Sequence, residues 1–415
     1  MTPMRAQRTR VRPEAGWRLI EGGITSPQGF LASGVSAGIK KKGLDLALVF
    51  SSQLASAAGV FTLNRVQAAP VVLSRQNLKT SRGRASAVLI NSGCANACTG
   101  DRGMRDARIS TRCLASHLHV DPCRVLVAST GVIGSFLPVP KVLKGISAAV
   151  SALNSRGGSA AARAIMTTDT REKSIAVEGR IAGRTVRIGG MAKGAGMIHP
   201  QMATMISILT TDAQIQPGIL NRALRHAADS TFNCLTIDGD TSTNDTLLIL
   251  ANGASGAPVA DRRSISFFEN GLTMICEELS KSIARDGEGA TKFVEILVRG
   301  AADFESARRA AKTIAHSTLV KTALYGEELN WGRILCAVGY SGVPFDPERV
   351  SLSLNGIPVF RNGSSVGSTR PRAEKAMKNR DLQIEVDLAG GRSSARVWTC
   401  DLSRDYVDIN ASYIS

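Results

Sequence analysis

The residues that could do chemistry in this chain are easiest to find by elimination. No G-x-x-x-x-G-K-[ST] loop is present to cradle phosphates, no G-x-G-x-x-G follows an apolar run, and no H-E-x-x-H could seat zinc. Of the five histidines only His117 and His119 are close in sequence, so a His-based triad has little to build on. An enzyme on this scaffold needs a nucleophile whose base comes from elsewhere. A threonine at the start of a chain has one. Its own α-amino group ordinarily titrates at about 7.7–8.0 and is partly neutral near pH 7. To expose such an amine, the backbone must be cut before the threonine, by attack of its hydroxyl on the preceding carbonyl and an N→O acyl shift. Ala203-Thr204, reached through the glycine-dense residues 189–196, has the small preceding residue and the approach this needs. Local chemistry leaves a second reading open, and it is the simpler one: a β-branched residue in a core strand.

The elements that must position such a group mix strands and helices. Short apolar runs at 46–50, 71–73 and 87–90 predict strands between Gly, Ser and Asn turns. Residues 105–118 predict a helix. Residues 125–128 predict a strand that runs into the glycine-bounded turn 129–134. Helices are expected at 140–153 and 160–166. A hairpin is expected at 175–177 and 184–188, its second strand leading into a glycine-dense loop at 189–196. Beyond it come a helix at 216–228 and a polar loop at 236–246. Ile265, Phe268, Leu272, Ile275, Leu279 and Ile283 then mark one face of an amphipathic helix ending at Asp286-Gly287-Glu288-Gly289. Residues 293–298 predict a strand, 304–315 a helix and 320–324 a strand. From 350 to 407, alternation and the turns Asn355-Gly356 and Gly390-Gly391 predict mostly strands. The class is mixed α/β (α+β), in two similar halves meeting near residue 203.

Composition narrows the function. Hydrophobic residues at 43% and charged residues at 20% exclude wholesale disorder, collagen and a disulfide scaffold. Aromatics are only 4%, so the core rests on Ala, Val, Ile and Leu. The net charge of +17 is uneven: 1–203 hold 28 Lys/Arg against 9 Asp/Glu, 28 − 9 = +19, and 204–415 hold 23 against 25, 23 − 25 = −2. A basic half suits nucleic acid or an anionic surface. No RNP, zinc-finger or helix-turn-helix pattern accompanies it, so an anionic substrate or complementary halves fit better, and no nucleic-acid partner is expected. Among the eight cysteines the one close pair, Cys94 and Cys98, has no finger-spaced partners. Buried reduced thiols are expected, without metal. The first twelve residues carry four arginines but no apolar core follows, which is not a secretory signal. No stretch reads as a membrane helix, and a cytoplasmic protein is expected.

One string changes the balance at Thr204. Lys193-Gly194-Ala195-Gly196-Met197-Ile198-His199-Pro200-Gln201-Met202-Ala203-Thr204-Met205, followed by Thr210-Thr211-Asp212-Ala213, resembles the self-cleavage segment of the ornithine acetyltransferase (glutamate N-acetyltransferase) family. Further blocks agree in family order: Phe61-Thr62-Leu63-Asn64-Arg65, 91–100 (NSGCANACTG), 129–134 (STGVIG) and Thr167-Thr168-Asp169-Thr170. So do 238–246 (DGDTSTNDT), 284–291 (ARDGEGAT), 323–334 (ALYGEELNWGRI) and 400–410 (CDLSRDYVDIN). Cys94 departs from the family's usual Asn, and His199 and Gln201 flank Pro200 where other residues are commoner.

The resemblance implies a layered α/β/β/α fold, cleaved into two interlocked chains, 1–203 and 204–415. It implies Thr204 as the nucleophile, both for cleavage after Ala203 and for acetyl transfer, with Thr130 and Gly131 as the oxyanion hole. Lys193 would bind substrate, its ammonium suiting the α-carboxylate shared by ornithine and glutamate. Glu288 would hold a substrate amine or orient the Thr204 amine. Thr167 would be a polar substrate contact, with Thr168 the adjacent alternative, and Asn410 and Ser415 a C-terminal binding pair. The implied reaction moves acetyl from N2-acetylornithine to glutamate in cyclic arginine biosynthesis. No metal or cofactor is implied, and acetyl-CoA stays open as a second acetyl donor. The implied partners are the two substrates and the chain's own two pieces, assembled as a heterotetramer of two pairs. The alternative is an N-terminal-nucleophile amidohydrolase or aminopeptidase, in which water takes the acyl group. The blocks 238–246 and Asn330-Trp331-Gly332-Arg333 carry no assigned role.

Overall fold

Strand Leu46–Phe61 is the spine of the molecule, and its apolar side chains serve three cores in turn. Leu46 and Leu48 face one, Ala47, Val49, Ala55 and Ala57 a second, and Ala58 and Val60 a third. A register shift between Phe50 and Ala55 marks where the strand bends. Residues 46–50 pair with Arg84–Cys94, and residues 56–61 pair with Thr246–Ala251. The computed structural model, which describes residues 16–199 and 205–412, thus contains a nine-stranded sheet that doubles back on itself. Its hydrogen-bonded path runs Arg18–Ile20, Lys173–Ile181, Arg184–Lys193, Ile206–Thr211, Thr246–Ala251, Leu46–Phe61, Arg84–Cys94, Val125–Val132. Phe30–Val35 pairs with Leu46–Phe61 as the ninth strand.

The middle core lies between the two sheet halves. Val88, Ile90, Leu126 and Ala128 from one half meet Met191, Ile206, Ile208, Leu248 and Leu250 from the other. Helices Ala69–Thr80, Gly100–Leu118 and Val139–Ser151 cover the first half through Leu73, Leu114 and Ile146. Helices Pro217–Ser230 and Arg262–Arg285 cover the second through Leu224, Leu272 and Ile275. The order is α/β/β/α, as expected. A six-stranded sheet follows, ordered Ser364–Ser365, Ile357–Arg361, Ser351–Leu354, Asp381–Asp387, Phe293–Ala301, Ser393–Cys400. It shares the core of helix Arg262–Arg285. The halves meeting near residue 203 are not separate domains. Ile206–Thr211 and Thr246–Ala251 sit between Arg184–Lys193 and Leu46–Phe61, so later strands fill the middle of a sheet built from earlier ones.

Several elements differ from expectation. Residues 71–73 lie in helix Ala69–Thr80, which Pro70 in the first turn starts rather than interrupts. Residues 320–324 lie in helix Thr318–Tyr325, capped by Ser317 accepting from the Val320 N–H. A short apolar run does not separate strand from helix. The C-terminal region also holds helices Arg370–Met377 and Arg404–Ser412. Residues 189–193 belong to strand Arg184–Lys193 rather than a loop. A Cβ on Gly189 would stand 2.1 Å from the Gly23 carbonyl oxygen, so this glycine serves close packing. Asn355-Gly356 does make the expected hairpin turn, but Gly390-Gly391 carries the chain across strand Phe293–Ala301, whose two neighbours flank it. All eight cysteines are free, yet only Cys94, Cys234, Cys276 and Cys400 are buried. Gly34-Val35-Ser36-Ala37-Gly38 has the form G-x-S-x-G, but no helix follows strand Phe30–Val35, so it is no nucleophile elbow. No helix among the described residues is long and apolar enough to cross a membrane.

Candidate active site

Six of the expected residues come together. Thr130 and Gly131 end strand Val125–Val132, Lys193 ends Arg184–Lys193, Glu288 follows helix Arg262–Arg285, and Asn410 lies on helix Arg404–Ser412. With Thr167 and its neighbour Thr168 they line one cleft. Ala203, Thr204 and Ser415 lie outside the described residues. Chain on both sides of Ala203-Thr204 lines the same cleft, through Gly194, Gly196 and Met197 before it and Met205 and Ile206 after it.

The turn at Thr130 is fixed by its neighbours. Gly131 has a φ of +127°, and a Cβ there would stand 2.4 Å from the Gly93 carbonyl carbon. Only glycine fits. Asn244 Nδ2 donates to the carbonyls of Ala95 and Ser129 at 2.7 and 2.8 Å, tying the turn to the adjacent strand end. Ser129 Oγ donates to Asn91 Oδ1 at 2.6 Å.

Lys193 is buried at the cleft wall. Its Nζ donates to Thr167 Oγ1 at 2.7 Å and to Thr130 Oγ1 at 3.4 Å. Of the two threonines left open, Thr167 is the one whose hydroxyl meets this lysine. Burial pushes the Lys193 pKa down, and the Asp169 carboxylate opposes that. Burial alone would raise the pKa of Asp169. The ammonium groups of Lys193 and Lys173, with hydrogen bonds from Lys173 and Gly194, bring it down instead to about 2. Glu288 is also buried, its Oε2 accepting from Asn410 Nδ2 at 2.8 Å. Gly196 makes room for it, since a Cβ there would stand 2.3 Å from that oxygen.

The polar loop left without a role grips the chain around the junction. Met197, at a φ of +56°, donates its N–H to Asp238 Oδ2 at 2.6 Å, and Ile198 donates to Oδ1 at 2.8 Å. Thr241 Oγ1 donates to the His199 carbonyl at 3.0 Å, and the Thr246 N–H donates to the Met205 carbonyl at 2.9 Å. Asp169, Asp238 and Asn244 are thus site-building residues that sequence reasoning missed. Their signal was present: each is a short polar side chain inside a motif block. Asn330 and Arg333 lie elsewhere, Asn330 capping helix Trp331–Gly339 and Arg333 donating to the Leu319 carbonyl at 3.0 Å. The close histidine pair is not His117 and His119. His199 and His316 meet with ring centroids 4.8 Å apart and planes tilted by 35°. Burial pushes both down, His199 to about 3, and neither lines the cleft. Among the described residues no cluster of His, Cys, Asp or Glu is arranged to hold a metal.

Residues 31–415 match the ArgJ family. The chain belongs to the ArgJ family. It is 48% identical over 401 residues, 96% of this chain and 97% of the relative, to the arginine biosynthesis bifunctional protein ArgJ of Parasynechococcus marenigrum. The namesake of Symbiobacterium thermophilum is 49% identical over 399 residues, 95% of this chain and 99% of that one. Among solved structures, the ornithine acetyltransferase of Mycobacterium tuberculosis complexed with ornithine is 44% identical, covering 45% of this chain and 100% of that chain, with a TM-score of 0.42. As a member of the ArgJ family the chain is a transferase of arginine biosynthesis.

Proposed function

We propose that the chain cuts itself between Ala203 and Thr204 and then moves acetyl from N2-acetylornithine to glutamate through an acetyl ester on Thr204. The observation that carries this reading is the single cleft in which Thr130, Gly131, Thr167, Lys193, Glu288 and Asn410 meet chain from both sides of that junction. In the cut, Thr204 Oγ attacks the Ala203 carbonyl, the acyl group shifts from N to O, and water hydrolyses the ester. A free Thr204 amine results. That amine then takes the hydroxyl proton while Oγ attacks the acetyl carbonyl of the donor. The Thr130 hydroxyl and Gly131 N–H stabilise the oxyanion, each such donor contributing about 2.7–4 kcal/mol to the transition state. Lys193 holds the α-carboxylate and Glu288, steadied by Asn410, holds a substrate amine. Ornithine leaves with the proton, and the glutamate amine takes the acetyl group from the ester. Acetyl-CoA would load the same ester as a second donor.

Intact-mass measurement and N-terminal sequencing test the reading. Two fragments are expected, the second starting at Thr204, whereas Thr204→Ala stays at 43.8 kDa and transfers no acetyl. A wild-type chain that is uncut at 43.8 kDa yet transfers acetyl at full rate overturns it.

A further inference from the structure

Behind the cleft wall lies a cluster of charges that the reaction above does not use. Lys173 Nζ stands 2.6 Å from Asp169 Oδ1 and 2.5 Å from Asp286 Oδ2, with none of the three side chains more than 2% exposed. Asp286 also accepts from the N–H and hydroxyl of Thr170. Asp169 is the member of the cluster beside Lys193. Its Oδ2 accepts from the Thr167 N–H at 3.1 Å and lies 3.9 Å from Lys193 Nζ, and its Oδ1 accepts from the Gly194 N–H at 2.7 Å. Arg171, half-exposed, also reaches Asp286 Oδ1 with its Nε at 3.7 Å, so two carboxylates meet two cations, and Asp169 is the negative charge set beside Lys193. Desolvation offsets much of the attraction within a buried ion cluster, so stability alone is a weak reason for it.

We propose that Asp169 is a positioning residue that keeps the buried Lys193 protonated and aimed into the cleft to receive a substrate carboxylate. The inference rests on Lys193 being the carboxylate-binding cation. Burial drives a lysine toward its neutral form, and Lys173 adds like charge. Glu288 and Asp245 also face Lys193 with opposite charge, and Lys40 faces it with like charge. Among the described residues Asp169 is the carboxylate within 4 Å of the Lys193 ammonium. Its backbone contacts to Thr167 and Gly194 fix the groups on either side of that ammonium.

Asp169→Asn keeps the shape and leaves Lys173 paired with Asp286, but removes the negative charge beside Lys193. Lys193 then loses its proton at lower pH, and a neutral amine does not attract a carboxylate. The measurement is the pH profile of kcat/KM for glutamate, with acetylornithine as donor. The basic limb is expected to move to lower pH by ~1–3 units, the range set by one close opposite charge. A tenfold or larger rise in glutamate KM is expected on that limb, at about tenfold per unit of pKa. Adding Lys173→Met to Asp169→Asn removes one positive charge as well, returns the cluster to its wild-type net charge and moves the limb back toward wild type. Packing damage alone would move it further away. An unmoved limb in Asp169→Asn, or a double variant worse than the single, overturns the inference. Lys193→Met and intact mass on the same samples keep the two levels apart. If Lys193→Met leaves glutamate KM unchanged, the reading of Lys193 falls and takes this inference with it. If Lys193→Met raises KM while Asp169→Asn leaves the profile intact, Asp169 alone loses its role.

Discussion

On strand Phe293–Ala301, Arg299 meets Glu385 at 2.7 Å and Asp387 at 3.4 Å, with its side chain 55% exposed. Beneath the cleft, Lys173 meets Asp169 and Asp286 at similar distances with its side chain 1% exposed. In both, one cation lies between two carboxylates, although Asp286 also meets the half-exposed Arg171 at 3.7 Å. Water screens the first and offers its members other partners, so each exposed pair contributes about 0–1 kcal/mol. The second has no solvent to exchange with. Removing one member there strands the others, and the cluster's net charge is felt by whatever lies next to it. The difference teaches that geometry alone does not rank ion pairs in this molecule. Depth does.

Lys173→Met gives the largest expected effect. It leaves two buried carboxylates with only the more distant Arg171 and Lys193 as cations and should lower the unfolding free energy by up to about 3–5 kcal/mol in chemical denaturation. A loss below about 1 kcal/mol would make the two clusters equivalent and break the comparison. Acid comes next. The Asp169 carboxyl sits at about 2 when folded, against about 3.9 in an unfolded chain. A depressed folded value means that its stabilisation is complete above about pH 4 and is lost as pH falls toward 2. About 2–3 kcal/mol is at stake. Urea midpoints at pH 5 and pH 2.5 should show a drop that Asp169→Asn reduces. Arg299→Ala gives the smallest effect, at most about 1 kcal/mol, shrinking further in added salt.

The long elements were legible because they repeat their pattern. Ile265 to Ile283 mark one face of helix Arg262–Arg285 over many turns, and all but the partly exposed Ile265 are buried. The runs 71–73 and 320–324 were too short to carry a period, and their helices were decided by Pro70 and Ser317. The cleft was legible where a residue lies in a block that resembles the family's, as with Lys193 and Glu288. Asp169 and Asp286 were not, because sequence does not state depth, and an aspartate looks the same beside water as beside a buried lysine. Nor does sequence show that the His199 and His316 rings meet, since more than a hundred residues separate them. Gly189 and Gly190 suggest freedom to turn, but packing uses them as absence of bulk.

Strands Ile206–Thr211 and Thr246–Ala251 have a partner from the earlier part of the chain on their outer flanks. If the proposed cut after Ala203 is made, this sets an order in time: the polypeptide would finish folding while it is still one molecule, when its two parts cannot diffuse apart. A break made sooner would turn the building of one core into a chance encounter between two fragments, each showing bare strand edges that invite aggregation.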